Sequence, residues 1–190
     1  MRRLRIMQRV LGKLIVVVVV LGLCIAYGMA ASVPALADTI IGTCTIVSNP
    51  TSTTFTNCPG ADLTGANLSG LDLSYANLTG ANLTGANLTN ANFSVANLTN
   101  VILTNANVTS TNFYNATFTG LSSGGLTGTP GTLPIGFLVV SGYLVGPNAN
   151  LSGANLTNAY LYGFVLSGAN LTNANLTNVN LGSAHLDSAT

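Results

Sequence analysis

Charge is what this chain has least of. Of its 190 residues only 5% are Asp, Glu, Lys or Arg, and Glu and Trp are absent altogether. All five basic residues (Arg2, Arg3, Arg5, Arg9 and Lys13) fall in the first thirteen positions. A chain with no Lys or Arg beyond position 13 has no electrostatic grip on phosphate, which excludes nucleic-acid binding as an expectation. The only acids are Asp38, Asp62, Asp72 and Asp187, and the only histidine is His185. No Walker loop, dinucleotide fingerprint or metal-ligand cluster occurs. His185 and Asp187 stand two apart, with Ser183 and Ser188 nearby. A hydrolytic triad also needs a pocket, an oxyanion hole and an oriented base, and nothing in the sequence suggests them. We therefore expect no catalytic, cofactor-binding or metal-binding residues.

Hydrophobic residues are plentiful, at 48%, but unevenly placed. One block follows the basic N-terminus: residues 14–28 are strongly apolar, and Ala35-Leu36-Ala37 precedes Asp38. A basic head, an apolar core and an A-x-A site form the signal-peptide pattern, so residues 1–37 are read as an export signal. Its removal leaves a chain with four carboxylates and no Lys or Arg. The rival reading is an uncleaved membrane anchor, because the uncharged span is long enough to cross a bilayer. Arg2-Arg3 hints at twin-arginine export, but Arg5 and the very hydrophobic core favour general secretion. Cys24 falls in the apolar core of the signal, since Leu23 before it is too large for a lipobox.

Residues 38–60 read as a lead-in. The β-branched stretch Thr39 to Val47 reads as a strand, and Asn49-Pro50-Thr51-Ser52 as a turn. Cys44 and Cys58 are the only cysteines after the signal, and in an exported chain an even pair reads as a disulfide. The rival is a redox or metal-binding pair, for which no neighbouring ligands are present. We expect the lead-in to cap the exposed end of the repeats that follow.

From residue 61 onward the chain is written in fives, most plainly in ANLTG ANLTG ANLTN at positions 76–90. Twelve such units occupy 61–120 and eight occupy 149–188. The central residue of each is large and apolar: Leu63, Leu68, Leu73, Leu78, Leu83, Leu88, Phe93, Leu98, Leu103, Val108, Phe113 and Phe118 in the first block. In the second block it is Leu151, Leu156, Leu161, Leu166, Leu171, Leu176, Leu181 and Leu186. Two positions earlier stands Ala in fifteen of the twenty units; the exceptions are Leu71, Val101, Thr111, Phe164 and Val179. A period of five fits neither a helix nor a simple strand. An extended segment puts both apolar positions on one side, and Gly or Asn two positions after the centre suits a corner. Four corners would make a square coil of about twenty residues, stacked at the strand spacing of about 4.8 Å. The central side chains would form the core, with rows such as Thr64, Thr84 and Thr104, or Asn67, Asn87 and Asn107, outside.

The motif A-(D/N)-L-x-x, repeated in this way, resembles the pentapeptide repeat family. The resemblance implies an all-β, right-handed quadrilateral β-helix: a solenoid of three coils in 61–120 and two in 149–190. Some cytoplasmic members of that family mimic DNA and bind gyrase, which makes a DNA-mimic, gyrase-binding role a minor alternative here. Four acids are thin for it. Other members dimerise through a terminus, so an end-to-end homodimer through the C-terminal coil is an expectation; the competing one is that the last five residues fold back as a cap.

Residues 121–148 interrupt the phase. Within them Ser141-Gly142 separates two apolar runs and reads as the turn of a β-hairpin. Phe137, Leu138, Val140, Tyr143 and Leu144 form a candidate interaction patch, against the plainer reading of a structural junction. The functional expectation is a non-enzymatic, exported protein with a structural or interaction role at the cell envelope or outside the cell. Its envelope or extracellular partner is unknown. The alternative is a specific surface-, glycan- or ice-binding protein acting through Thr/Asn ladders or the 133–145 hairpin. No membrane association is expected once the signal is cleaved.

Overall fold

The computed structural model describes residues 38–190; the reading of 1–37 as a signal or anchor lies outside the described residues. Among the described residues there is no helix. Four short strands are present: β1 (Thr39–Ile41), β2 (Cys44–Ile46), β3 (Leu138–Val140) and β4 (Tyr143–Val145). β1 pairs antiparallel with β2, and β3 with β4. The stretch read as a single strand, Thr39 to Val47, is instead the β1–β2 hairpin. Gly42, at φ +60°, supplies the left-handed turn that folds it back.

Everything else is held by isolated parallel bridges. Asp62 pairs with Asn82, Asn82 with Ile102, and Ile102 with Ser122, always twenty residues on. The same spacing joins Asn67 to Asn87 to Asn107 and Asp72 to Asn92 to Asn112. Each five-residue unit contributes its backbone to a neighbour twenty residues away: Leu83 N–H donates to the Ile102 carbonyl at 2.8 Å, and Asn82 N–H to the Ala61 carbonyl at 2.9 Å. Between units the chain turns through a residue with positive φ. Gly80 and Gly85 serve at two such corners and Asn90, Asn100 and Asn105 at three others. These residue types tolerate the left-handed region. Tyr75 and Val95 occupy the same kind of corner, at φ 60° and 61°, without that tolerance.

The side chains sort by position in the unit. The central residues from Leu63 to Leu166 are buried, and so are Ala76, Ala81, Ala86, Ala91, Ala96 and Ala106 two positions before their centres. Thr111 replaces Ala in one unit and is also buried; its hydroxyl donates to the Leu88 carbonyl at 2.8 Å. No buried side-chain polar atom among the described residues lacks a partner. Phe93 and Phe113, twenty apart, stack with ring centroids 5.5 Å apart.

Three central residues expected in the core, Leu171, Leu176 and Leu181, are only partly buried, and Leu186 is 39% exposed. Their stretch is bridged on one side alone, by Asn150 to Asn170, Asn155 to Asn175, Tyr160 to Asn180 and Val165 to His185. With a neighbour on one side, an inward leucine loses half of its cover. The last five residues do not fold back. Thr190 N–H donates to the Ala169 carbonyl, and Leu171 N–H to the Thr190 carbonyl, so the repeat register continues to the final residue.

The interruption also departs from expectation. The register of twenty does not break at residue 121; it runs on through Asn107 to Thr127 and Asn112 to Thr132. It then resumes with a longer step, Ser122 pairing with Asn150, twenty-eight residues on. Eight extra residues are thus accommodated within one repeat period, and they contain the β3–β4 hairpin.

Candidate functional site

Cys44 and Cys58 form a disulfide across fourteen residues. In the chain-entropy picture a closed loop of this size stabilises by about 3 kcal/mol. Cys44 and Ile46 are buried against the first repeats, and Val47 N–H donates to the buried Thr56 hydroxyl at 3.0 Å. A shallow cleft between cap and repeats is lined by Thr39, Ile46, Asn49, Leu71 and Asp72 among others. The Asp72 carboxylate already accepts from Asn92 Nδ2 at 3.0 Å and from Ser74 N–H at 3.0 Å, so it is committed to the fold.

The polar rows are committed too. Asn82 Oδ1 accepts from both the backbone N–H and the hydroxyl of Thr84, at 3.1 and 2.6 Å. Asn87 with Thr89 and Asn107 with Thr109 repeat the arrangement. Such local Asx contacts hold the corner that follows, which is the structural reason for N-x-T in the unit. Asn–Asn contacts then run across the twenty-residue step: Asn87 Nδ2 donates to Asn67 Oδ1 at 3.2 Å, Asn112 Nδ2 to Asn92 Oδ1 at 2.9 Å. Thr132 and Asn112 continue that row through a short contact. Asp62 uses the same geometry. Thr64's hydroxyl, and then its backbone N–H, donate to the carboxylate and hold its pKa below the usual aspartate value.

The hairpin is less of a surface than the sequence suggests. Of the five patch residues, Phe137 and Leu144 are buried, Val140 and Tyr143 half-buried, and Leu138 51% exposed. The reason lies in the residues it meets. Extending the register beyond Val108 puts Ser123 and Gly128 at central positions, and the longer step puts Gly146 at another, where the other units carry large apolar side chains. At Ser123 and Gly146 the hairpin supplies what these residues lack. Leu144 N–H donates to Ser123 Oγ at 2.8 Å, and Leu144 and Val145 join the core. Phe137 lies edge-on to Phe118, with centroids 5.0 Å apart. Its ring fills the space beside Gly146, where an added Cβ would stand 2.5 Å from the nearest ring atom. Leu126 N–H donates to the Gly142 carbonyl at 3.1 Å, and Asn155 N–H to the Tyr143 hydroxyl at 3.3 Å, tying the hairpin to both repeat blocks.

His185 and Asp187 are both exposed. Among the described residues no group of three His, Cys, Asp or Glu side chains comes together to hold a metal.

What remains exposed and apolar is unevenly distributed. Tyr75 and Val95 are joined by register, and Val95 N–H donates to the Tyr114 carbonyl, so these three residues neighbour one another on the first block. On the second block Tyr160 is 72% and Tyr162 56% exposed, with ring centroids 6.2 Å apart and planes 21° from parallel. Val165 is exposed three residues further on. The sequence reading missed this clustering. The signal was available in part: by the twenty-residue period Tyr75 falls beside the column of Tyr114, and Tyr160 and Tyr162 share one unit.

The chain matches the family model for pentapeptide repeats, in eight copies, over residues 54–85, 81–120 and 149–187. That is more than half of its length, and the chain belongs to the pentapeptide repeat family, with an all-β pentapeptide repeat fold. Among solved structures it is similar to HetL, a pentapeptide repeat protein involved in heterocyst differentiation regulation in the cyanobacterium Nostoc. Identity there is 27%, the TM-score 0.29, and the match covers 70% of this chain and 62% of that one. It is also similar to a pentapeptide repeat protein of the Arabidopsis thaliana thylakoid lumen, at 24% identity, TM-score 0.28, covering 69% of this chain and 58% of that one. The cyanobacterial pentapeptide repeat protein Rfr23 from Cyanothece shares 27% identity, with TM-score 0.17, over 70% of this chain and 90% of that one. The chain thus spans less than two thirds of the length of the first two. No curated protein matches it.

Proposed function

We propose that this chain is an exported, non-enzymatic, right-handed quadrilateral β-helix, with a structural or surface-interaction role at the cell envelope or outside the cell. Twenty-residue coils stack in it as three and two, separated by the hairpin-bearing longer coil. The observation that carries the reading is the Cys44–Cys58 disulfide, which ties β2 to Cys58, a residue already on the repeat register through its N–H to the Asn77 carbonyl. Such bonds persist in oxidising compartments and are rare in the cytosol. The parallel bridges at a spacing of twenty, with one step of twenty-eight, support the coil, and the basic-apolar-AxA pattern of residues 1–37 supports export. The pentapeptide repeat family is generally non-catalytic, and the exterior is mostly Asn, Thr, Ser and Gly already engaged with one another.

Cell fractionation with N-terminal sequencing of the mature protein tests this reading. We expect the protein in the envelope or the medium, beginning at Asp38, with both cysteines oxidised. Recovery from the cytoplasm with free thiols would remove it. A second reading, binding of an extended surface or glycan, is favoured by the exposed aromatic cluster on the second block rather than by the Thr rows, where Thr64 and Thr84 already donate to Asp62 and Asn82.

A further inference from the structure

Fourteen of the eighteen described glycines have positive φ and serve corners or turns; Gly124, Gly131, Gly146 and Gly182 do not. Their backbone would accept any residue, so glycine there answers a need for space. Three of the four lie under an aromatic ring. A Cβ on Gly124 would meet Tyr143 at 2.8 Å, one on Gly146 would meet Phe137 at 2.5 Å, and one on Gly182 would meet Tyr162 Cδ2 at 2.9 Å. The first two rings pack into the junction. The third is different, because Tyr162 remains 56% exposed. Position 182 is the residue after a unit's central leucine, where every other unit has Thr, Ser, Tyr or Asp, and only this one has Gly. The missing side chain lets the Tyr162 ring lie against the bare backbone twenty residues on, which restricts its freedom before anything binds.

Tyr160 stands beside it, nearly parallel, and Val165 extends the apolar surface. The polar rim is amide. Asn178 Nδ2 donates to Asn158 Oδ1 at 3.2 Å, and Asn180 Oδ1 accepts Gly182 N–H at 3.0 Å. Among the described residues there is no Lys or Arg to hold an anionic partner, and no carboxylate lies between residues 73 and 186 to hold a cationic one. An aromatic pair with one ring held, beside an amide rim without Lys or Arg, matches a ligand that has apolar C–H faces, hydroxyl edges and no charge. Aromatic side chains held in place bind at lower entropic cost than free ones.

We propose that Tyr160 and Tyr162, with Gly182 as the positioning residue, form a binding platform for a neutral polysaccharide chain. The sugar rings stack on the tyrosines and their hydroxyls bond to the surrounding Asn amides. The proposal rests on the reading of an exported protein that meets glycans outside the cell, but its test does not depend on where the protein is found.

The experiment is co-sedimentation of the full gene product, purified as its cells process it, with cellulose, chitin and an insoluble β-1,3-glucan. A sulfated polysaccharide serves as the charged control. We expect retention on at least one neutral polymer, insensitive to salt. Tyr160→Ala and Tyr162→Ala should each weaken it by roughly tenfold. Gly182→Thr restores the common side chain, displaces the Tyr162 ring and should weaken retention likewise, with an unchanged circular dichroism spectrum. Tyr75→Ala, on the other block, should leave it intact. Absence of retention on all three polymers, equal retention of the double tyrosine variant, or retention by the sulfated polymer alone would each overturn the proposal. Self-association lost in the double variant, without glycan binding, would overturn it in favour of a second copy of the chain. Failed export with intact glycan binding would sink only the localisation.

Discussion

The ring of Phe137 stands where a side chain on Gly146 would stand: nine residues apart, the two together make one core position. At equivalent places in neighbouring units, Phe118 and Leu166 supply the side chain from the repeat itself. Here the repeat gives up its side chain and the inserted hairpin returns one. Phe137→Ala should therefore cost about 3–5 kcal/mol, as for a buried aromatic ring. Gly146→Leu alone should destabilise by about 1–3 kcal/mol through overpacking. Because the two share one space, the double variant should be more stable than the sum of the single changes implies. Denaturant unfolding of the four proteins measures this, and strict additivity would show that the two residues do not share the position.

Val95 holds a corner conformation that Gly and Asn hold in neighbouring units, with φ 61° for a β-branched side chain. The left-handed region costs such a residue about 1–2 kcal/mol. Val95→Asn should raise the thermal midpoint by an amount corresponding to about 1 kcal/mol. An unchanged or lowered midpoint would mean that the exposed valine gains as much from its neighbours as the backbone loses.

The inward leucines are not equivalent. Leu83 is fully buried between repeats on both sides, whereas Leu171 is partly buried in the stretch bridged on one side. Leu83→Ala should cost about 3–5 kcal/mol and Leu171→Ala less than half of that. Equal costs would indicate that Leu171 is covered in solution by something that the fold of residues 38–190 does not provide.

Cap and repeat are joined covalently, so reduction should be felt at the N-terminal end first. Replacing Cys44 and Cys58 together by Ser should lower stability by about 3 kcal/mol. Hydrogen exchange should rise in β1, β2 and the first repeats before it rises near Leu161. Uniform loss of protection would show that the repeats unfold as one cooperative unit instead.

Asp62 carries a pH dependence that its own contacts explain. Its folded pKa lies below the ordinary value of 3.8 because Thr64 donates to it through its hydroxyl and its backbone N–H. A depressed carboxylate contributes stability that is fully present above its unfolded pKa and is lost as pH falls through the folded one. The group is fully exposed, so the loss should be small and should disappear in Asp62→Asn. An acid transition of the same size in that variant would assign it elsewhere.

Sequence and structure divide the problem at a definite place. The period of five already separates inward from outward residues in 61–120 and 149–188, names the corner residues and gives the cysteine pair. These are local or strictly periodic properties, and one unit is enough to state them. What the period does not give is the fate of residues that leave it. Phe137 and Leu144 look like an exposed patch when read along the chain. They are buried because Ser123 and Gly146 vacate central positions, and only the resumed register, Ser122 beside Asn150, brings hairpin and vacancy together. Leu171, Leu176 and Leu181 look like core because burial depends on both neighbours, while the motif describes only the residue itself. Gly182 is one residue short of the corner at Ser183, and its lack of a side chain has a reason only when Tyr162, twenty residues earlier, is laid upon it. The amino-acid sequence by itself determined the direction in which each side chain points. The tertiary structure decided what each one meets there, because contact across a twenty- or twenty-eight-residue step depends on where the whole chain returns.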